Sequence, residues 1–176
     1  MRMFRRERDG TVSATFEPDE VEIIVQLASE SATLADAARS GAELQADPAL
    51  IRLLPDAYPD DPAASAEFRR FTTDGLAERK AINARLVVES LASLGDGRVE
   101  VRLDEVGSNA WLRAITDIRL VLGARLGIVQ DGDEGDIHDS ETALLRAVYD
   151  WLAGVQESLV HALSARRRNG ETGSVR

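Results

Sequence analysis

The sequence lacks cysteine, has few aromatic residues and contains no long apolar run. Without cysteine, these 176 residues cannot form a disulfide, a thiolate metal site or a thiol switch. Aromatic residues make up 5% of the chain. Unbranched side chains recur instead, and they favour helices over sheets because they lose little rotamer freedom in a helix. Neither a membrane span nor a secretory signal is predicted, which indicates a cytoplasmic protein.

Positive charge is also scarce. The chain has 31 acidic residues against 21 Lys and Arg, giving a formal net charge of -10. This balance opposes binding to polyanions, so direct DNA binding and membrane binding are disfavoured. Arginines do cluster near the two ends, at residues 2–8 and 166–168, and DNA binding through these ends stays open as an alternative.

The N-terminal part predicts a hairpin and a helix. Asp9-Gly10 lies between two strand-like runs, residues 4–8 and 11–16, which is typical of a hairpin with a tight primed turn. Pro18 and the acidic residues after it begin a helix that reaches at least Ser29. From Ser29 to Ala46 large apolar residues are few, and we predict a turn followed by a weak helix that ends near Gly41.

The rest of the chain predicts four helices and a strand. Asp47-Pro48 and Asp61-Pro62 each begin a helix, and Thr72–Gly75 is a candidate break in the second. Residues 99–103 alternate as a half-buried strand does. Apolar stripes then predict helices over about 105–126, ending at Gly127, and from Asp139-Ser140 to Leu163.

These elements predict a mainly α, α-rich α+β domain. It is a bundle of four or five helices with a small antiparallel sheet, made from the N-terminal hairpin and the strand at 99–103. The last two helices, each with a tryptophan, are expected to pack together at its centre. We assign residues 1–166 to this single domain and predict a disordered tail over 167–176.

No catalytic, cofactor or metal site is predicted. The acidic loop 131–136 superficially resembles a calcium loop, but Asp136 and Thr142 occupy the positions that require glycine and a bidentate acid. His138 and His161, the two histidines, have no spacing to a nucleophile or to further metal ligands. A non-enzymatic protein is therefore expected.

One polar set stands out among apolar residues, and we single it out as a candidate anion or partner site. Arg113, Asp117, Arg119 and Arg125 share the predicted helix 105–126, and Arg113 and Asp117 are one turn apart and able to pair. Carboxylates of neighbouring helices are the favoured acceptors for these guanidinium groups. Alternatively, Arg113, Arg119, Arg125 and Gln156 hold an anion between the last two helices, in a small-anion-binding protein or enzyme.

The run Trp111–Ile128, followed by Trp151-Leu152 and Gln156–Val160, resembles an actinobacterial family of unknown function that includes an actinomycete oxidative stress regulator. The residues that match the family's motif are Trp111, Arg113, Asp117, Arg119, Gly123, Arg125, Gly127, Trp151, Gln156 and Glu157. The resemblance adds Glu157 to the candidate site and implies a gene near that of the ClpS adaptor.

The resemblance also implies a function. It favours a cytosolic regulatory or adaptor protein that acts through a protein partner, in stress-responsive transcription, for example on a sigma factor, or in Clp proteolysis. No cofactor is implied. A homodimer is a further prediction, because the hairpin can present an open strand edge to a second copy.

Overall fold

A computed structural model describes residues 1–39, 47–55, 58, 60–92, 97–130 and 132–171, with the backbone alone for residues 62, 66, 68–73 and 166–171. Within these ranges the chain forms three strands and five helices. They are β1 Arg2–Arg6, β2 Val12–Phe16, α1 Pro18–Arg39, α2 Pro48–Leu53, α3 Pro62–Leu91, β3 Val99–Leu103, α4 Glu105–Arg125 and α5 Ser140–Glu171. The predicted fold class is confirmed. The domain boundary at residue 166 stays a prediction; α5 extends to Glu171, and residues 172–176 of the predicted tail lie outside the described residues.

The sheet has the strand order β1-β2-β3, and both pairs are antiparallel. The predicted third strand is confirmed, with Val12 opposite Leu103 and Phe16 opposite Val99. Helix α5 packs against β1, and the Phe4 amide donates to Ser158 Oγ at 3.3 Å. The helix therefore occupies part of the strand edge on which the homodimer prediction was based.

The hairpin turn is longer than predicted. Gly10 has a φ of +89°, and no other residue type has a positive φ in the described part of the chain, whereas a type I′ turn needs two such residues. The Gly10 amide donates to the Glu7 carbonyl at 3.1 Å and the Glu7 amide to the Thr11 carbonyl at 2.9 Å. This pattern is a three-residue loop that closes with a bulge at Gly10.

Aspartate caps begin the helices where the sequence placed them. Each cap accepts hydrogen bonds from amides that the first helical turn leaves without a partner. The acceptor and donor pairs are Asp47 with Ala49, Asp61 with Ala63 and Ala64, and Asp139 with Thr142, at 2.8 to 3.1 Å. At the other end of α4, Gly127 adopts the predicted left-handed conformation, with a φ of +66°.

Two predicted interruptions are wrong. Helix α1 continues through Ser29 to Arg39, and α3 is unbroken at Thr72–Gly75. The small residues after Ser29 serve close packing, because α1 and α3 face each other along buried alanines. These are Ala28, Ala32, Ala35 and Ala38 on α1 and Ala77, Ala81 and Ala84 on α3. The predicted end near Gly41 lies outside the described residues.

The alanines at the contact between α1 and α3, which we call the α1–α3 seam, are buried. We expect Ala81→Leu to lower the free energy of unfolding by about 1–3 kcal/mol, because Ala81 is 0% exposed and extra methylenes in a packed interior force shifts. Urea unfolding followed by circular dichroism measures the change. The control is Ala143→Leu, the same substitution at an exposed site of α5. An equal effect at both sites would contradict close packing of α1 on α3.

A cluster of three aromatic rings joins the sheet to α4. Trp111 stacks on Phe16 at 5.6 Å between centroids and meets Phe4 edge to face at 5.4 Å. Its indole Nε1 donates to Ser90 Oγ at 2.9 Å, so the one polar atom of the ring is satisfied. Trp111 is 1% exposed, whereas Trp151 on α5 is half-buried. The last two helices do pack together, as predicted, but the α1–α3 seam carries a large share of the core.

Candidate functional site

The polar residues singled out from the sequence lie on two helices, four on α4 and two on α5, and have different neighbours. Arg125 pairs with Glu30 of α1 at 3.0 Å on the surface. Glu157 lies on α5, where its Oε1 is 3.9 Å from His161 Nε2 and both side chains are exposed. Arg113 is exposed on the α3 side of α4. The structure therefore does not gather the six residues into one site. Among the hydrogen bonds and ion pairs of the described residues, one joins two of the six, between Arg119 and Gln156.

The side of α4 that faces α3 contains a buried ion pair. Lys80 Nζ of α3 lies 2.5 Å from Asp117 Oδ1, and Asp117 is 5% exposed. Asp117 thus pairs with Lys80, where the sequence had suggested Arg113. Burial raises the pKa of Asp117 above its usual value, and the hydrogen bond and charge of Lys80 oppose that rise. The pair lies in a cleft of about 630 Å³ that Arg79 and Arg113 also line.

Arg119 lies at the contact between α4 and α5. Its Nη1 donates to Gln156 Oε1 at 2.7 Å, and the Gln156 amide donates to Thr116 Oγ1 at 2.8 Å. The guanidinium also stacks over the Tyr149 ring, with 4.7 Å between Arg119 Cζ and the ring centroid. Its Nε is buried and has no hydrogen-bond partner among the described residues. The guanidinium is therefore only partly satisfied by the protein.

Two further arginines meet Arg119 around a pocket of about 330 Å³. Arg52 comes from α2, Arg119 from α4 and Arg146 from α5, and the loop residues 128–130, 132 and 133 with Tyr149 complete the wall. We call this the three-arginine pocket. Three guanidinium groups from three separate helices make it a cationic site in a protein whose net charge is -10.

Gly123 allows Arg52 to reach the pocket. A Cβ atom at Gly123 would lie 3.3 Å from Arg52 Nη1 and 3.7 Å from the Tyr149 ring, so the glycine lets both groups lie close against α4. This close contact is of the kind that a glycine inside a helix allows. No carboxylate of the described residues pairs with Arg52.

The pocket's other charged groups are held by the loop after α4. Asp133 Oδ2 accepts hydrogen bonds from the amides of Val129 and Gln130, both at 2.9 Å, and these bonds lower the pKa of Asp133. Arg146 Nε binds Asp150 at 3.0 Å, and its Nη1 donates to the carbonyls of Asp133 and Glu134. The Asp133 carboxylate is thus engaged with backbone, not with Arg52 or Arg119.

Sequence reasoning found Arg119 but missed Arg52, Arg146 and Tyr149. Arg52 and Arg146 lie about 70 and 30 residues from Arg119, and helical spacing relates residues of one helix only. The available signal was Gly123, since a glycine in a helix interior marks a close approach without naming the group that approaches.

The two histidines and the acidic loop do not form a metal site among the described residues. In the described part of the chain, no group of three or more His, Asp or Glu side chains is placed to hold a metal ion. His138 lies in the segment between α4 and α5, where its amide donates to Thr142 Oγ1 at 3.2 Å. Both histidines are exposed.

A second surface feature is an apolar groove of about 230 Å³ between α1 and α5. Ile23 of α1 lines it together with Ala147, Val148 and Trp151 of α5, and Glu20 is at its rim. Leu144, one turn before Val148, is 64% exposed and extends the apolar strip along α5. We call this surface the α1–α5 groove. Among the described helices, none has the length and apolar character required to traverse a bilayer.

Comparison with known proteins gives a family and several relatives. The model of a family described as a domain of unknown function, DUF2017, matches residues 1–163. A Mycobacterium leprae protein is 37% identical over 132 residues, which cover 68% of this chain and 59% of that protein. Proteins of Mycobacterium bovis and Mycobacterium tuberculosis named oxidative stress regulator AosR are each 34% identical over 139 residues, 72% of this chain and 62% of theirs. The chain thus spans about three fifths of these relatives, and no solved structure matches it.

Proposed function

We propose a regulatory function, exerted by binding a protein partner, for this chain, which belongs to the DUF2017 family. The name oxidative stress regulator, carried by mycobacterial relatives, supports the regulatory part. The α1–α5 groove supports the binding part, and it is the observation that carries the proposal. A partner in transcription or in Clp proteolysis, and action in the cytosol, belong to the same proposal.

The groove has the chemistry of a helix-binding surface. Leu144, Val148 and Trp151 recur at the i, i+4 and i+7 positions of α5, and Ile23 lies across from them on α1. Such spacing suits the apolar face of an amphipathic helix laid into a groove. Tryptophan is enriched among the residues that dominate binding energy, which makes half-buried Trp151 the central contact.

The charge of the protein restricts the class of partner further. Glu20 at the groove is paired with the N-terminal ammonium group of Met1 at 3.4 Å, so the charge that steers a partner is the net charge of -10 carried by the chain as a whole. A partner segment with Lys or Arg beside its apolar face gains electrostatic steering toward this surface, whereas an acidic segment is repelled. We therefore propose a basic amphipathic helix as the bound segment.

The absence of cysteine excludes one sensing mechanism for such a regulator. Thiol oxidation is not available to these 176 residues. A response to oxidants through this part of the protein therefore needs another group or a partner.

Variants of the groove test the proposal. We expect Leu144→Glu and Trp151→Ala to weaken binding of the partner by about 30-fold or more, since loss of a central interface contact commonly has this effect. The whole chain is immobilised, partners are captured from a mycobacterial lysate and identified by mass spectrometry, and the affinity of each is then measured with purified protein.

Val106→Glu is the matched control for Leu144→Glu. It places the same charge at a 71% exposed apolar residue on α4, away from the groove. Circular dichroism verifies that all variants fold. Equal binding of the captured partner to the native chain and to both groove variants would refute the groove as the binding surface.

A further inference from the structure

We propose that the three-arginine pocket binds a phosphate group, presented as free phosphate or on a small phosphorylated molecule. This inference is independent of the regulatory proposal, because it depends on different residues and needs no protein partner. It also relocates the anion site considered from the sequence: Arg119 stays, Arg52 and Arg146 replace Arg113 and Arg125, and Gln156 takes the role of orienting Arg119.

The pocket brings several positive charges together. Arg52, Arg119 and Arg146 supply three positive charges, Asp133 is the one acidic residue among the described residues of the wall, and Asp150 pairs with Arg146 from outside it. Among these described residues a positive excess remains, although the whole chain is strongly acidic. Like charges brought together from three helices repel one another, and a bound anion removes that repulsion.

The pocket also contains arginine side chains whose hydrogen bonding is incomplete. Within the described ranges, the guanidinium of Arg52 has no hydrogen bond or ion pair, and the buried Nε of Arg119 has no acceptor. Guanidinium groups are satisfied by planar arrangements of oxygen atoms, and phosphate offers several such oxygens at once. Phosphate oxygens thus match the guanidinium donors that Arg52 brings to the pocket and that the described residues leave unused.

The size and wall of the pocket narrow the ligand class. At about 330 Å³ the pocket lies at the small end of ligand sites, which suits a phosphate group with a short organic remainder. Two of its arginines are oriented beforehand: Gln156 and Tyr149 hold Arg119, and loop carbonyls hold Arg146. The Arg52 guanidinium has no partner among the described residues, and it becomes the third arginine to contact the phosphate when the ligand binds.

Titration calorimetry with inorganic phosphate tests the assignment, at constant ionic strength maintained with chloride. We expect saturable binding at one site, weakened about 10-fold or more by Arg52→Gln, because a charge-assisted hydrogen bond is lost. Arg52→Lys keeps the charge but lacks the planar fork, so its affinity is expected to lie between those of the native chain and Arg52→Gln.

Arg113→Gln is the matched control, since it removes the same charge from an exposed position of α4 outside the pocket. We expect it to leave phosphate affinity within about 2-fold, as surface charges are screened at this ionic strength. Glycerol phosphate, as a second titrant, is expected to bind at least as tightly as inorganic phosphate. No saturable binding, an equal loss in Arg113→Gln, or tighter binding of malonate than of phosphate would each overturn the assignment.

Discussion

Trp111→Ala is expected to lower the free energy of unfolding by about 3–5 kcal/mol, the range for removing a large aromatic side chain from a packed core. Trp111 is 1% exposed, contacts both Phe4 and Phe16, and fixes α4 to Ser90 of α3 through its indole N–H. The substitution therefore loosens the sheet, α3 and α4 together. A domain of ordinary stability, about 5–15 kcal/mol, retains little after such a loss.

Urea unfolding followed by circular dichroism measures this effect without depending on tryptophan fluorescence. Trp151→Ala is the control, with an expected cost of about 1–2 kcal/mol because its side chain is only half-buried. Trp111→Phe keeps an aromatic ring but loses the hydrogen bond to Ser90 and should fall between the two. A larger cost at Trp151 than at Trp111 would contradict the placement of the aromatic cluster at the centre of the fold.

Lys80→Met is expected to cost about 3 kcal/mol at pH 7, because it leaves the Asp117 carboxylate buried without its counter-charge. The value is at the low end for a broken buried pair, since the Lys80 side chain keeps 17% exposure. Replacing both partners, as Lys80→Met with Asp117→Leu, removes the buried charge altogether. We expect the double variant to come within about 1–2 kcal/mol of the native protein.

The stability lost in Lys80→Met should depend on pH. Burial raises the folded-state pKa of Asp117 above its unfolded value, and loss of Lys80 raises it further. A carboxyl with a raised folded pKa adds most to stability below its unfolded pKa, near 3.9, and that contribution is lost as pH rises through the folded pKa. The deficit of Lys80→Met should therefore be largest at neutral pH and shrink toward pH 4. A deficit that grows on acidification would contradict the account.

Local signals predicted much of the fold. Aspartate followed by proline marked the starts of α2 and α3, and alternation marked β3, because capping and strand burial depend on residues close in sequence. The extent of α1 depended on a distant partner. Its alanines after Ser29 do not by themselves mark an apolar face, and they gain a core role because α1 is buried against α3.

The candidate site was predictable in part for the same reason. Helical spacing placed Arg113, Asp117, Arg119 and Arg125 on one helix but said nothing of which neighbour each one meets. The structure assigns Asp117 to Lys80, Arg125 to Glu30 and Arg119 to Gln156. Pairings between helices are set by tertiary packing. The spacing of residues within one helix therefore could not predict that Arg52 and Arg146 lie near Arg119.

Helix α5 links the two proposed sites. Arg146 and Tyr149 line the three-arginine pocket, while Ala147, Val148 and Trp151, from the same two turns, line the α1–α5 groove. Any ligand that shifts this part of α5 alters both surfaces at once.

The central claim is that Arg52, Arg119 and Arg146 form one binding site. Nuclear magnetic resonance of the arginine Nε–Hε groups during titration with phosphate tests it most directly. The account predicts saturable shifts for these three arginines with a common dissociation constant, and none beyond a uniform ionic-strength drift for Arg113 and Arg125. Shifts of equal size at all five, or no saturable shift at Arg119, would contradict it.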